Sequence, residues 1–354
     1  MHTPVLPHRL DLLLHNYDAV QRAFLVDGFT FGFKTSYGGP RNFSRIAKNH
    51  TSTHLLPLEV DSIISTELAR NQIIGPFSDP PFELFITSPI SLVPKKDGSY
   101  RFIHDLSHPK RILQSVNSYI LPEDATVQYE NLDHYVKIIQ TCGRNALLSK
   151  LDIENAFRIV PMHPSEYPLL GFTWRKQFYI NSTLCMGLST SCVRFEAFSS
   201  AIQWAVQQKF PKGSISHILD DFLLAGPAGS TLCQDTLDYL LHICRDIPVK
   251  HAKTVLPCTK LTAHGLEIDS TSFLIRLPPD KLDKCRTSIR SILHKRSVTL
   301  HVLQQIHGLL NFACRAISPG RPFLRRLCDA MSGVSRPDHY VRGLGSLASI
   351  PRYT

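Results

Sequence analysis

The sequence lacks several features that define common classes of protein. None of its nine cysteines forms a C-x-x-C pair, and their number is odd. This pattern argues against a zinc cluster and a disulfide framework, so we expect buried free thiols in a reducing compartment. The first residues lack the apolar run of a signal peptide, and no stretch approaches the ~18 uninterrupted apolar residues of a membrane span. We therefore expect an intracellular protein, cytoplasmic or nuclear, without a membrane partner.

Acidic residues are few relative to basic ones. The 354 residues include 39 Lys and Arg against 29 Asp and Glu, which gives a net charge of +10. This excess favours a polyanionic partner, although an ordinary basic protein would show the same balance. The hydrophobic content of 43% is ample for a large core divided into subdomains.

Hydrophobic spacing predicts an α+β order for the middle of the chain and a helical module after it. Residues 58–74 have helical spacing, and Gly75-Pro76 would end that helix. Around the Asp97-Gly98 turn, two strands are predicted within residues 90–106. Later elements are predicted as strands at 146–153, 172–183, 215–224 and 261–275, and as helices at 189–210, 232–246, 281–295, 300–316 and 319–331.

Two adjacent acids interrupt an otherwise apolar strand pair. Asp220 and Asp221 follow Ile218 and Leu219, at the predicted tip of a hairpin. Carboxylates this close repel one another unless a cation or a proton neutralises them. Taken alone, the pair also fits ordinary turn chemistry, because Asp is common in turns.

A third acid has matching surroundings. Asp152 ends the strand-like run that begins near Ala146. Two neighbouring strands that end in carboxylates can hold two Mg²⁺ ions about 3.5–4 Å apart, one activating an attacking hydroxyl and the other steadying a leaving phosphate. Oxygen ligands suit Mg²⁺ or Mn²⁺ better than zinc. The three aspartates therefore indicate metal-assisted phosphoryl chemistry.

Six segments in the right order resemble the motifs of reverse transcriptases. Each is weak alone, but their order over most of the chain, from about Ser88 to Met331, makes coincidence improbable. The style of the first motif and the basic helices at the end most resemble retrotransposons of the DIRS type, which use a tyrosine recombinase. In chain order the motifs are VPKKDGSYRFIHDL at 93–106, LDIENAF at 151–157, LCMGLS at 184–189, ILDD at 218–221, Lys253, and HGLEI at 264–268.

The resemblance implies a right-hand polymerase fold with fingers, an antiparallel palm sheet and a helical thumb. The substrates would be deoxynucleotides together with an RNA or DNA template and its primer. Element-encoded ribonuclease H and recombinase modules would lie outside this chain. The implied order is an N-terminal extension at 1–54, fingers at 55–125 and 160–186, palm at 126–159 and 187–277, a thumb at 278–331 and a loose tail at 332–354.

The resemblance also implies roles for single residues. Asp152 and Asp220 would be the principal metal ligands, Asp221 would support the metal or the primer end, and the Ile153 carbonyl would add a ligand. The residues implied in nucleotide binding are Lys95, Lys96, Arg101, Phe157, Met186, Gly187 and Lys253.

The implied nucleotide contacts are chemically specific. Lys95 or Lys96 and Arg101 would grip the triphosphate, and Phe157 would exclude a 2′-hydroxyl. Lys253 would give a proton to the leaving pyrophosphate. Gly187, which lacks a Cβ, would let the backbone approach the template or nucleotide closely. A solvated hairpin, a core phenylalanine and an exposed lysine are the plainer explanations of the same residues.

Departures from the family pattern keep two other functions open. Ile218 replaces the aromatic residue expected before Asp-Asp, and Cys185 and Met186 also differ from common choices. None of these changes removes a predicted metal ligand, but they raise the alternative of an inactive, nucleic-acid-binding remnant. A ribonuclease H-type metal nuclease is the third hypothesis, because such enzymes also cluster carboxylates.

Overall fold

Two units, each with its own hydrophobic cluster, divide the chain in the computed structural model. The structure describes residues 2–95, 97–110, 114–211, 213–293, 295 and 297–342. The first unit comprises residues 1–142 and 149–257, and the second comprises residues 143–148 and 258–354. These two units do not test the predicted bounds of fingers, palm and thumb, which stay a prediction.

The first unit combines helices with short strands, as the spacing predicts. Its α-helices within the described residues are α1 (Pro7–Leu13), α2 (Ala19–Phe31), α3 (Thr51–Leu55), α4 (Pro57–Ala69), α5 (Pro122–Ala125), α6 (Leu132–Cys142), α7 (Ser191–Lys209) and α8 (Leu232–Ile243). Its strands there are β1 (Ile73–Phe77), β2 (Ile90–Pro94), β3 (Tyr100–His104), β4 (Leu147–Asp152), β5 (Gly171–Trp174), β6 (Gln177–Asn181), β7 (Ile215–Ile218), β8 (Asp221–Gly226) and β9 (Val255–Cys258). The first two residues of β4 and the last residue of β9 are assigned to the second unit.

A four-stranded sheet with the order β7-β8-β4-β9 carries the predicted acidic residues. Its inner strands are apolar runs, and Leu148, Leu151 and residues 222–225 are fully buried. Strands β7 and β8 pair antiparallel up to Ile218 and Asp221, so Leu219 and Asp220 form the turn. Helix α7 contacts β7, while α6 and α8 contact β8. The acids therefore lie at the ends of these buried strands: Asp152 is the last residue of β4, and Asp220 and Asp221 lie at the turn between β7 and β8.

The first unit also contains two smaller sheets. Strands β2 and β3 form the predicted hairpin, with Ile90 opposite His104 and Pro94 opposite Tyr100. Strands β1, β6 and β5 form a sheet with β6 at its centre. Apolar residues of α4 pack with the aromatic side chains of these strands in one cluster.

The second unit is a short sheet followed by helices. Its elements are β10 (Lys260–Ala263), β11 (Leu266–Asp269), β12 (Leu274–Arg276), α9 (Pro279–Leu293), β13 (Ser297–Thr299), α10 (Leu300–Ala313), α11 (Arg321–Met331) and β14 (Tyr340–Arg342). Strands β10, β11 and β12 form one antiparallel sheet. Buried Leu303, Ile306 and Leu327 belong to the cluster that joins α10 and α11.

Two predicted elements need correction. The helix predicted to reach Ile74 ends at Ala69, and Ile73–Phe77 is a strand. Asn71 is left-handed, with φ +54°, which stops the helix, and the following β-branched residues pair with β6. The tail predicted to be loose includes β14, which pairs with β13, and the opposed Val298 and Val341 are both buried. Residues 343–354 of that tail lie outside the described residues.

None of the nine cysteines forms a disulfide within the described ranges, and five of them are buried, as expected for thiols that pack as small apolar groups. In the described part of the chain, no helix is both long enough and apolar enough to cross a membrane.

Candidate active site

Asp152 ends strand β4 in a nearly closed environment. Its relative exposure is 2%. The carboxylate Oδ2 accepts a hydrogen bond from Lys253 Nζ at 2.6 Å, and the main-chain carbonyl accepts one from Lys250 N at 2.8 Å. The position of Asp152 is therefore determined by the strand on one side and by residues 250–253 on the other.

Asp220 and Asp221 lie at the tip of the β7–β8 hairpin, as predicted. Leu219, the residue before them, has φ +53°, a left-handed conformation that ordinary L-residues avoid. The Asp220 carbonyl accepts the N–H of Ile153 at 3.1 Å, which ties the turn to the end of β4. The structure thus brings the two acidic segments together at one edge of the sheet.

The carboxyl groups of this cluster influence one another. Burial first, and then the charges of Asp221 and Asp152, raise the pKa of Asp220 to about 6. Burial also raises the pKa of Asp152, whose carboxyl lies within hydrogen-bonding reach of Asp221, although Lys253 opposes the shift. A group that is this hard to ionise lacks sufficient positive charge nearby. The cluster therefore concentrates negative charge that its surroundings only partly compensate.

Two lysines supply part of that positive charge. Lys253 Nζ pairs with Asp152, and Lys150 Nζ lies 3.0 Å from Asp221 Oδ1. Burial alone would lower the pKa of Lys253, but its bond to Asp152 raises it. Lys150 was missed by the sequence reasoning. Strand alternation could have found it, because residues two apart on β4 share a face with Asp152.

The donor atoms fit Mg²⁺ or Mn²⁺ in chemistry, because carboxylate oxygens are the ligands these ions prefer. Among the residues that the structure describes, however, no three His, Cys, Asp or Glu side chains are gathered as a metal cage. Two of these carboxylates are instead paired with lysines, Asp221 with Lys150 and Asp152 with Lys253. Ile153 is buried, with its N–H bonded to Asp220, and belongs to an isolated bridge with Val249.

The predicted triphosphate residues lie on the β2–β3 hairpin. Lys95 and Arg101 are exposed, and Lys96 lies outside the described residues. Hydrogen bonds from Ser99 lower the pKa of Asp97 at the hairpin tip, with smaller contributions from the charges of Lys95 and Lys250. Because Lys250 also bonds Asp152, the hairpin tip lies within electrostatic range of the segment beside the acidic cluster. The structure does not join Lys95 or Arg101 to the aspartates by a hydrogen bond or ion pair.

Phe157 is half-buried in a short 3₁₀ helix (Ala156–Ile159). Its ring packs edge-on against Phe195 of α7, with 6.0 Å between ring centroids. The next residue, Arg158, donates to both oxygens of Glu67, at 3.2 and 2.6 Å. This bidentate pair holds the segment that presents Phe157.

Met186 and Gly187 are exposed and lie against the end of β3. Met186 O accepts the N–H of His104 at 2.9 Å. Gly187 has φ +118°, and a Cβ there would stand 2.0 Å from the His104 carbonyl oxygen. The close approach that needs this glycine in the structure is to the protein's own backbone, whereas an approach to template or nucleotide stays a prediction.

Comparison with known proteins gives one family for the central segment. Residues 93–291 match the model for "Reverse transcriptase (RNA-dependent DNA polymerase)". The Gag-Pro-Pol polyprotein of Human T-cell leukemia virus 2 is 25% identical over 290 residues, which cover 78% of this chain and 18% of that protein. The corresponding polyprotein of Human T-cell leukemia virus 3 (strain Pyl43) is 30% identical over 149 residues, covering 40% of this chain and 9% of that protein. The chain thus spans under a fifth of the length of these curated relatives.

Solved structures give the same fold. A foamy viral protease-reverse transcriptase in complex with an RNA/DNA hybrid superposes with a TM-score of 0.63 at 19% identity, covering 95% of this chain and 43% of the other. The same type of protein in complex with double-stranded DNA gives a TM-score of 0.62 at 19% identity, covering 96% and 68%. The mixed helices and antiparallel sheets agree with this likeness, and the predicted right-hand polymerase fold is confirmed.

Proposed function

The chain belongs to the reverse transcriptase (RNA-dependent DNA polymerase) family, and we propose that it catalyses RNA-directed DNA synthesis for a retroelement. One observation carries this proposal. The acid that ends β4 and the acids of the β7–β8 turn lie together, and the pKa of Asp220 is raised to about 6 by burial and neighbouring charge. Clustered, undercompensated carboxylates are what phosphoryl transfer with divalent ions requires.

Asp152 and Asp220 would hold the ions, with Asp221 beside them and the Ile153 carbonyl as a further ligand. When bound, two Mg²⁺ or Mn²⁺ ions would lower the barrier for attack by the primer hydroxyl and for departure of pyrophosphate. Lys253, whose pKa is raised by Asp152, would then release its contact and donate a proton to the leaving group. Lys150 would remain as a fixed positive charge at Asp221.

The other predicted residues would bind and select the nucleotide. Lys95, Lys96 and Arg101 on the exposed hairpin would neutralise the triphosphate. Phe157, held by its neighbour Arg158, would close the space beside the sugar C2′ and so exclude ribonucleotides. Met186 and Gly187 would face the template or nucleotide.

The partners would be an RNA or DNA template and its primer, inside the cell in the cytoplasm or nucleus. Neighbouring structures hold double-stranded DNA or an RNA/DNA hybrid. Basic side chains on α9 suit phosphate contacts that give affinity without sequence choice. The finer assignment to DIRS-type elements, with separate ribonuclease H and recombinase modules, rests on the style of the motifs alone.

An inactive, nucleic-acid-binding copy is the second candidate. Ile218 in place of an aromatic residue, together with Lys150 and Lys253 against the carboxylates, favours it. It predicts salt-sensitive binding of primer–template without incorporation. A ribonuclease H-type nuclease is disfavoured by the family match.

Primer extension on a poly(rA) template with an oligo(dT) primer tests the proposal. Wild-type chain should extend the primer with Mg²⁺ or Mn²⁺, and the double variant Asp220→Ala, Asp221→Ala should not. Asp238→Asn on the outer face of α8 is the matched control and should retain activity. Extension that survives the double variant would overturn the proposed site, and binding without any extension would establish the inactive copy.

A further inference from the structure

A second carboxylate network lies behind the acidic turn, and polymerase chemistry as described does not use it. Its centre is Glu196 on α7, with 8% relative exposure. Phe195 and Phe198 beside it on the helix are fully buried. An acid in such surroundings needs partners, because its charge would otherwise be costly to desolvate.

The main partner of Glu196 is the backbone of the turn. Glu196 Oε2 accepts the N–H of Leu219 at 3.1 Å. Leu219 is the left-handed residue, with φ +53°, that immediately precedes Asp220. A left-handed leucine persists only where its surroundings stabilise that conformation. The Glu196 carboxylate meets this need, because it accepts a backbone donor that strand pairing leaves without a partner.

A histidine on β7 lies beside the Glu196 carboxylate. His217 Nε2 lies 3.3 Å from Glu196 Oε1. The other ring nitrogen, Nδ1, donates to the amide oxygen Oε1 of Gln203 at 2.6 Å. His217 also stacks on Phe222, with 5.5 Å between ring centroids. Gln203 and Phe222 therefore set the orientation of the imidazole, while its Nε2 makes no hydrogen bond in the described part of the chain.

Further bonds extend the network away from the acidic cluster. Gln203 Nε2 donates to Glu130 Oε1 at 3.0 Å, and Ser216 Oγ donates to Glu130 Oε2 at 2.7 Å. Two consecutive residues of β7 are thereby bonded to polar groups outside the sheet. These contacts hold the strand that leads into the turn, while the backbone of the turn bonds Glu196 through the Leu219 N–H and Ile153 through the Asp220 carbonyl.

We propose that Glu196 is a positioning residue for the acidic turn. Its carboxylate holds Leu219 left-handed, and this sets where the Asp220 and Asp221 side chains stand relative to Asp152. The inference rests on the proposed polymerase function for its kinetic consequence, but its structural part stands without it. Because misplacement of reacting groups by about 1 Å can cost ~10²-fold in rate, loss of this bond should lower turnover rather than nucleotide binding.

The test compares three variants of the full chain. Glu196→Ala removes the acceptor, and Glu196→Gln keeps an amide oxygen for Leu219. Ser199→Ala changes another buried α7 side chain, whose hydroxyl makes no hydrogen bond among the described residues. The first readout is hydrogen exchange of the 215–226 segment. The second is single-nucleotide incorporation, with kcat and the KM for dNTP measured separately.

We expect Glu196→Ala to speed exchange in this segment by about tenfold, with α8 unchanged. Its kcat should fall by about 10- to 100-fold, with the KM for dNTP within about twofold of wild type. Glu196→Gln should restore most of both, and Ser199→Ala should resemble wild type.

Two results would overturn the positioning role. One is a Glu196→Ala variant indistinguishable from Ser199→Ala, and the other is a loss of kcat accompanied by faster exchange throughout the unit. If the wild-type chain incorporates no nucleotide while the local exchange change appears, the proposed polymerase function fails and the positioning of the turn by Glu196 is supported.

Discussion

Asp220 and Glu166 are both largely buried acids of the first unit, yet their surroundings shift them in opposite directions. Burial pushes both pKa values upward. At Glu166, hydrogen bonds from Thr35 and the charge of Arg41 more than offset burial, so the pKa is lowered. At Asp220 the neighbours are other acids, so the pKa stays raised, at about 6.

The difference separates an acid that stabilises the fold from one that we propose to be functional. Glu166 has 3% relative exposure, accepts the N–H of Thr35 at 3.2 Å, and joins the N-terminal segment to residues 164–169 through Arg41 at 2.8 Å. The negative charge of Glu166 is therefore compensated by groups of the protein itself. The negative charge of Asp220 is not compensated in this way, and ionisable groups with such strongly shifted pKa values are commonly found at functional sites.

The largest expected effect is on activity at Asp220. Asp220→Asn should reduce nucleotide incorporation by at least ~10³-fold, because it removes a predicted ion ligand. The same change should leave the free energy of unfolding equal or higher, because it relieves repulsion among buried acids. Incorporation kinetics and urea denaturation measure the two effects. A variant that loses stability and keeps activity would reverse the comparison.

A buried base extends the comparison. His104 donates Nε2–H to Gly171 O at 2.9 Å and accepts from Asn181 Nδ2 at Nδ1, also at 2.9 Å, so the ring is neutral. Burial lowers its pKa from 6.5 to about 4. The unfolded state therefore binds the extra proton first, and stability should fall as pH drops from 6.5 towards 4, by roughly 3 kcal/mol.

Denaturation at several pH values, with His104→Gln as the reference, isolates this contribution. The wild-type chain should lose more stability than the variant across that window. Parallel curves for the two proteins would show that His104 is not buried in its neutral form.

Removal of the compensated acid should affect stability more than chemistry. Glu166→Ala leaves Thr35 and Arg41 without their acceptor, which should cost ~2 kcal/mol, given that Arg41 is partly exposed. Activity per folded molecule should stay within about threefold. Chemical denaturation and incorporation at low temperature are the measurements, with exposed Glu83→Ala as control. A large loss of activity at full stability would place Glu166 in the functional site.

The smallest expected effect concerns the built-in positive charge. Lys150→Met removes the cation 3.0 Å from Asp221 and should raise the affinity for Mn²⁺ by roughly tenfold. Isothermal calorimetry or the electron paramagnetic resonance signal of free Mn²⁺ measures the affinity. Exposed Lys137→Met is the matched control. Unchanged or weaker binding in Lys150→Met would show that Lys150 does not compete for the acidic cluster.

The sequence predicted the parts of the site that depend on local pattern. The apolar runs that end in Asp152 and Asp220 predicted strands with an acid at the end of each. The acids lie close together because β4 and β8 are neighbours in the sheet. The hairpin of Lys95 and Arg101 followed from Asp-Gly turn chemistry. The α4 boundary was wrong, because a single left-handed Asn71 ended the helix ahead of the Gly75-Pro76 signal.

Contacts that depend on tertiary structure could not be predicted in this way. The bond from Leu219 N–H to Glu196 joins a turn to a helix 23 residues earlier, and the Thr35–Glu166 contact spans 131 residues. Neither pair has a spacing that periodicity detects. The sequence motif predicted a close backbone approach at Gly187, but only the structure identifies the His104 carbonyl as the neighbouring group.

A crystal structure of the chain with primer–template, a non-hydrolysable dNTP and Mn²⁺ tests the central claim most directly. Anomalous scattering would locate the ions. We predict Mn²⁺ bound by carboxylate oxygens of Asp152 and Asp220, with Lys253 moved away from Asp152. A nucleotide bound with no Mn²⁺ on either aspartate, or with the ion held elsewhere, would contradict the assignment of this acidic cluster as the polymerase site.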